Sequence, residues 1–152
     1  MNDLRIGWAA RDVSTDKPVD VPGQFYRRIS EGVLDPVTVT ALAIDNGTDC
    51  VIFLSADIVI IRFHVLDKIR AKVAVLNPAI PVLKLVMNAT HTHTGPTTYG
   101  DRNDVWTGSF TPDTAEMPDP GLPIASADEY QAFFVAQAAD AVAEAYAKRV
   151  SG

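Results

Sequence analysis

At 152 residues, 47% of them apolar and 21% charged, the chain has the size and composition of one ordinary globular domain and can bury a sizeable core. A formal net charge of −6, with no long basic run, removes the electrostatic term that drives binding to nucleic acid or anionic lipid, so neither is expected as a partner. The single cysteine rules out an intramolecular disulfide framework, and no stretch is apolar and long enough to span a bilayer.

Nothing at the amino end has the basic and apolar regions of a leader. By default that leaves the chain in the cytoplasm, or outside the cell if a leader precedes Met1. Ile6, Trp8 and Ala10 alternate with Arg5, Gly7 and Ala9 as a short strand would, and the polar run from Asp12 to Asp16 ends it. Residues 17–32, with Pro18, Pro22 and Gly23, read as a loop. Residues 37–44 are rich in β-branched side chains, and Asn46-Gly47 separates them from a second such run at 50–56. Asn-Gly between apolar runs favours a tight hairpin, because a type I′ turn needs positive φ at both central positions, so these strands are expected to be antiparallel neighbours. Cys50, inside the second run, reads as a buried, inert thiol.

From His64 the period changes to that of a helix. Val65, Leu66, Ile69, Val73 and Leu76 share one face, with Asp67, Lys68, Arg70 and Lys72 largely opposite, and Asn77-Pro78 closes the segment. Residues 82–89 form another apolar run of strand length. A strand-helix-strand connection of this size is almost always a parallel crossover, which predicts that 50–56 and 82–89 run parallel. Residues 97–125 hold several glycines and prolines without a sustained period and read as a long irregular loop. Ser126 followed by Glu129 is a capping-box signature, and the alanine-rich helix after it gathers Tyr130, Phe134, Ala138, Ala141 and Ala145 on one face. The order predicts an α/β fold, a mixed β-sheet with flanking helices. Because the chain stops where such a fold would next place a strand, it reads as an incomplete portion of a larger domain.

Chemistry concentrates in Thr90-His91-Thr92-His93-Thr94-Gly95-Pro96. In extended backbone a spacing of two puts both imidazoles on the same side, with the threonines opposite. The segment follows directly on the predicted strand 82–89, at the carboxyl end where open α/β sheets gather their ligands. Asp57 follows the strand 50–56 and is expected at the same edge, as a ligand or proton-transfer group, or else as a turn cap. His64, between Phe63 and Val65, reads as a packed or capping residue. Imidazoles suit zinc, whose catalytic sites take three protein ligands and a water. No Glu-x-x-His, His-x-x-x-His or Cys-x-x-Cys completes a set nearby, so Asp57 or His64 joins through the fold or further ligands lie beyond residue 152.

The segment from Asn88 to Pro96 closely resembles the metal-site motif of the neutral/alkaline, nonlysosomal ceramidases, usually Thr-His-Thr-His-Ser-Gly-Pro. The opening Ile6-Gly7-Trp8-Ala-Ala-Arg-Asp12 looks like that family's first strand, and Val51-Ile-Phe-Leu-Ser-Ala-Asp57 resembles the strand before its first helix. The resemblance implies that residues 1–152 are the N-terminal part of a zinc-dependent hydrolase domain cleaving the N-acyl bond of a ceramide-like lipid amide. It further implies that His91 is a Zn2+ ligand, that His93 is catalytic and contacts the reacting amide, and that the remaining ligands come from a missing C-terminal part of the polypeptide. Two other readings compete. One is a barrel-type metal-dependent amidohydrolase, which the Asn46-Gly47 hairpin disfavours. The other is a non-catalytic α/β domain or inactive fragment whose histidines fill a polar strand end.

Overall fold

The computed structural model describes residues 4–24, 28–99 and 123–151. Five strands form one mixed sheet in the order β4-β3-β2-β1-β5: β1 is Arg5–Asp12, β2 Thr38–Asp45, β3 Cys50–Ala56, β4 Leu85–Ala89 and β5 Val150–Ser151. Helices α1, Phe63–Leu76, and α2, Ala127–Ala147, complete the α/β fold. β1, β2 and β3 are antiparallel in sequence, whereas β3 and β4 run parallel, as the crossover through α1 requires. The antiparallel pairs are incompatible with the parallel strands of a barrel-type amidohydrolase.

The strand alternation sorts side chains onto two faces. Ala9, Val39, Ala41, Ala43, Ile52, Leu54 and Leu85 point into the core, where they meet Val65, Ile69 and Val73 of α1 and the face of α2 that carries Phe134, Ala138, Ala141 and Ala145. Small residues on both partners let α2 approach β1 closely. A Cβ on Gly7 would lie 2.2 Å from the carbonyl oxygen of Ala145. Ile6 and Trp8, apolar as they are, occupy the other face and are exposed.

Several local expectations are refined. The β2–β3 connection is a four-residue loop and not a two-residue type I′ turn: only Gly47 has positive φ, and Asn46 Oδ1 accepts from the backbone N–H groups of Thr48 and Asp49. Residues Val82–Lys84 form a 3₁₀ turn, because Pro81 and the turn bond from Lys84 N–H to the Pro81 carbonyl delay strand geometry until Leu85. Ser126 caps α2 by accepting from the Glu129 N–H at 3.1 Å, while the Glu129 carboxylate pairs with Lys17. After α2 the two-residue strand Val150–Ser151 pairs antiparallel with β1. Cys50 is buried, and desolvation pushes its thiol pKa upward. Of the loop expected at 97–125, residues 97–99 and 123–125 lack helix and strand, and the rest lie outside the described residues. Among the described residues no helix is long and apolar enough to cross a membrane.

Candidate functional site

The parallel pairing of β3 and β4 ends with Ala56 opposite Ala89, so the segments that follow leave the sheet side by side at its carboxyl edge. The first carries Asp57, Ile58 and Val59, and the second carries the histidine motif. Thr90 N–H donates to the Ala56 carbonyl at 2.9 Å and His91 N–H to the Ile58 carbonyl at 3.1 Å, so the edge of one segment templates the other.

Sequence parity placed both imidazoles on one side of an extended strand. The rings do converge, with the two Nε2 atoms 3.3 Å apart and the ring centroids 4.9 Å apart in an edge-to-face arrangement. The route differs, because β4 has ended and His91 adopts φ of 64°, a left-handed conformation uncommon for any residue but glycine. Such backbone costs about 1–3 kcal/mol and persists where surrounding contacts hold it. One holding contact is the ring itself: Nδ1–H of His91 donates to the Val59 carbonyl at 2.6 Å. That bond fixes the tautomer and leaves the Nε2 lone pair facing His93, the arrangement found in metal-ligating histidines.

His93 is seated from its other side. Gly23, with φ of 101°, lies so close that a Cβ there would be 2.5 Å from Cγ and 2.6 Å from Nδ1 of the imidazole. Arg28 donates to both the His93 carbonyl and the Pro22 carbonyl, tying the loop to the motif. Nothing local in the sequence links Gly23 or Arg28 to residue 93. Pro22-Gly23 announces a turn; the bridge between Asp20 and Ile29 closes the loop, and Thr97 N–H on the Asp20 carbonyl at 3.1 Å, with Arg28, brings it over the ring.

Asp57 does emerge at the same edge, but it does not join the imidazoles. Its Oδ2 accepts from the backbone N–H of Thr38 at 2.8 Å and from Thr38 Oγ1 at 2.9 Å, and its Oδ1 from Thr90 Oγ1 at 3.1 Å. The expected ligand or proton-transfer role of Asp57 beside the histidines is corrected accordingly, and the alternative of a cap describes it. His64 is also elsewhere: its Nε2 lies 3.3 Å from Gln131 Nε2 of α2. Among the described residues no cluster of three His, Cys, Asp or Glu side chains could hold a metal ion.

On the reverse of the motif, Thr92 and Thr94 share a hydroxyl contact at 2.9 Å and line a cleft of about 440 Å³ with Ser14, Ser30, Val37 and Asp57. The imidazoles do not line this cleft. Zinc fits the donors present as far as they go. A tetrahedral ion with bonds of about 2.0–2.1 Å would set two nitrogen ligands ~3.3 Å apart. The same spacing also allows one ring to ligate while the other hydrogen-bonds to a group held there.

No family sequence model and no curated protein matches the chain. Solved structures do match its fold. Neutral ceramidase from Pseudomonas aeruginosa superposes with a TM-score of 0.74 over 100% of this chain and 23% of that one, at 15% identity. A ceramidase complexed with C2 gives a TM-score of 0.72 over 100% of this chain and 22% of that one, at 14% identity. The chain thus spans less than a quarter of the length of either ceramidase. By fold, then, it is similar to one part of neutral ceramidase, the family whose metal-site motif its residues 90–96 resemble.

Proposed function

We propose that residues 1–152 form the N-terminal part of the catalytic domain of a zinc-dependent amide hydrolase, acting on a lipid amide of the ceramide type. The observation that carries this reading is the convergence of His91 and His93 at 3.3 Å, on the carboxyl edge of a sheet with ceramidase topology. His91 is the ligand, because its Nδ1–H is anchored on the Val59 carbonyl and its Nε2 lone pair is turned toward His93, 3.3 Å away. His93, adjacent and braced by Gly23, hydrogen-bonds the developing charge on the amide or relays a proton. Zinc at His91 would supply a water acidified to a pKa near about 7 and a Lewis acid for the carbonyl. Two imidazoles fill at most two of the three protein positions of a catalytic zinc, so the set is completed from outside the described residues.

The test compares His91→Ala and His93→Ala in a chain that carries the rest of the catalytic domain. His91→Ala is expected to lose zinc and fatty-acid release from an N-acylsphingosine together. His93→Ala is expected to keep most of the zinc and lose turnover by about a hundredfold or more. Equal zinc loss in both variants would sink the division of roles. The 152-residue chain alone is expected to bind zinc weakly and hydrolyse nothing. Tight one-to-one zinc with turnover in that chain would refute the shared-site reading.

A further inference from the structure

The geometry points to Asp57 as the positioning residue of the histidine pair, a role distinct from ligation or proton transfer, through a carboxylate that clamps the start of the motif to β2. This rests on the functional reading above.

At Asp57 the chain leaving β3 turns tightly, with Ile58 N–H donating to the Ala56 carbonyl at 2.9 Å. Asp57 is then bonded to Thr38 through both backbone and side chain. Its N–H donates to the Thr38 carbonyl at 2.9 Å, and Oδ2 takes the Thr38 N–H and hydroxyl. The second oxygen, Oδ1, reaches across to the hydroxyl of Thr90, the residue immediately before the left-handed His91. Three donors from the ends of two strands converge on one carboxylate, the side chain with acceptor capacity for all of them. The Asp57 carbonyl also packs on the far end of the motif, where a Cβ on Gly95 would approach it to 2.7 Å.

Both ends of the motif are therefore referred to one residue, and the Val59 carbonyl that orients the His91 ring lies two residues further along the same turn. If the Thr90 hydroxyl is released, the turn at His91 loses its side-chain clamp and keeps only the backbone bonds to Ala56 and Ile58, so extended backbone becomes more accessible to that residue. Nδ1–H then no longer meets the Val59 carbonyl, and the tautomer lock is lost. Asparagine is the conservative replacement. Its amide oxygen can accept from Thr38 while its NH₂ donates to the Thr90 hydroxyl.

The experiment records ¹⁵N spectra of the imidazoles in the metal-free 152-residue chain at pH 8, with zinc affinity measured by chelator competition. The wild-type chain is expected to show His91 protonated on Nδ1 alone. Asp57→Ala and Thr90→Val are each expected to give His91 a mixture of tautomers and zinc binding weaker by about tenfold to a hundredfold. Asp57→Asn is expected to restore the wild-type pattern. Thr90→Val changes only an exposed hydroxyl, so it carries the test even if Asp57→Ala does not fold. An unaltered Nδ1–H signature in Asp57→Ala or Thr90→Val would overturn the proposal. Zinc binding by the wild-type chain that His91→Ala leaves unchanged would instead count against the functional reading, while the tautomer spectra still decide the role of Asp57.

Discussion

Replacing Gly23 by alanine tests how His93 is held. The backbone there has φ of 101°, and the added Cβ would sit 2.5 Å from Cγ of His93 and 3.0 Å from its Cβ. Ordinary carbon contacts need about 3.5–4.0 Å, so loop and ring must separate by roughly 1 Å. Neither moves freely. His91 lies edge-to-face on the ring, and Arg28 binds the carbonyl of the same residue. Left-handed strain contributes about 1–3 kcal/mol. Overpacking adds about 1–3 kcal/mol if the loop does not yield. The expected outcome is a urea unfolding free energy lower by roughly 2–6 kcal/mol, or by about 1–3 kcal/mol if the loop deforms. The ¹⁵N resonances of His93 should shift in either case. His91 should keep its Nδ1–H signature, because its anchor is the Val59 carbonyl and not Gly23. Unfolding and His93 resonances both indistinguishable from wild type would refute the packing of Gly23 on the imidazole.

Gly7→Ala forces a methyl to 2.2 Å from the Ala145 carbonyl and 2.7 Å from the Arg149 N–H nitrogen, both backbone atoms. It should destabilise the chain by about 3 kcal/mol or more. A loss of under about 1 kcal/mol in urea unfolding would show that α2 can lift off β1 at little cost. Asp45, at the end of β2, accepts from the Gly47 N–H, which holds its carboxyl below the ordinary value of 3.8, with Arg5 and Arg149 adding and desolvation opposing. A depressed folded pKa means stability that is present above 3.8 and lost as pH falls through the folded value, so Asp45→Asn should flatten the acid limb of the pH–stability curve. An unchanged acid limb would place the acid sensitivity in other carboxylates.

Much of the architecture is written in local periodicity. The period-two runs of β1, β2 and β3, the 3.6-residue stripe of Val65, Ile69 and Val73, and the Phe134–Ala138–Ala141–Ala145 face of α2 each follow from burying one side of a regular backbone. The crossover rule then delivers the parallel β3–β4 pair, and with it the arrival of Asp57 and the histidines at one edge. A motif of seven residues was enough to suggest the ceramidase family.

Contacts between segments far apart in sequence decided the rest. Parity predicted that His91 and His93 would meet, yet extended backbone is not what joins them: a left-handed turn, held by the Val59 carbonyl and the Thr90–Asp57 bond, does so. Asp57 read as a candidate ligand because a carboxylate at a strand end looks the same whether it faces an ion or three hydrogen-bond donors. Only the positions of Thr38 and Thr90 distinguish the two. Gly23 carried no mark of its role beyond a turn, since its importance arises from a neighbour seventy residues away along the chain and in van der Waals contact through space. Hydrophobic spacing and turn chemistry act over a few residues and are legible one segment at a time. The orientation of an imidazole is set by whichever carbonyl or glycine the folded chain brings beside it, and that proximity exists only once the strands have paired.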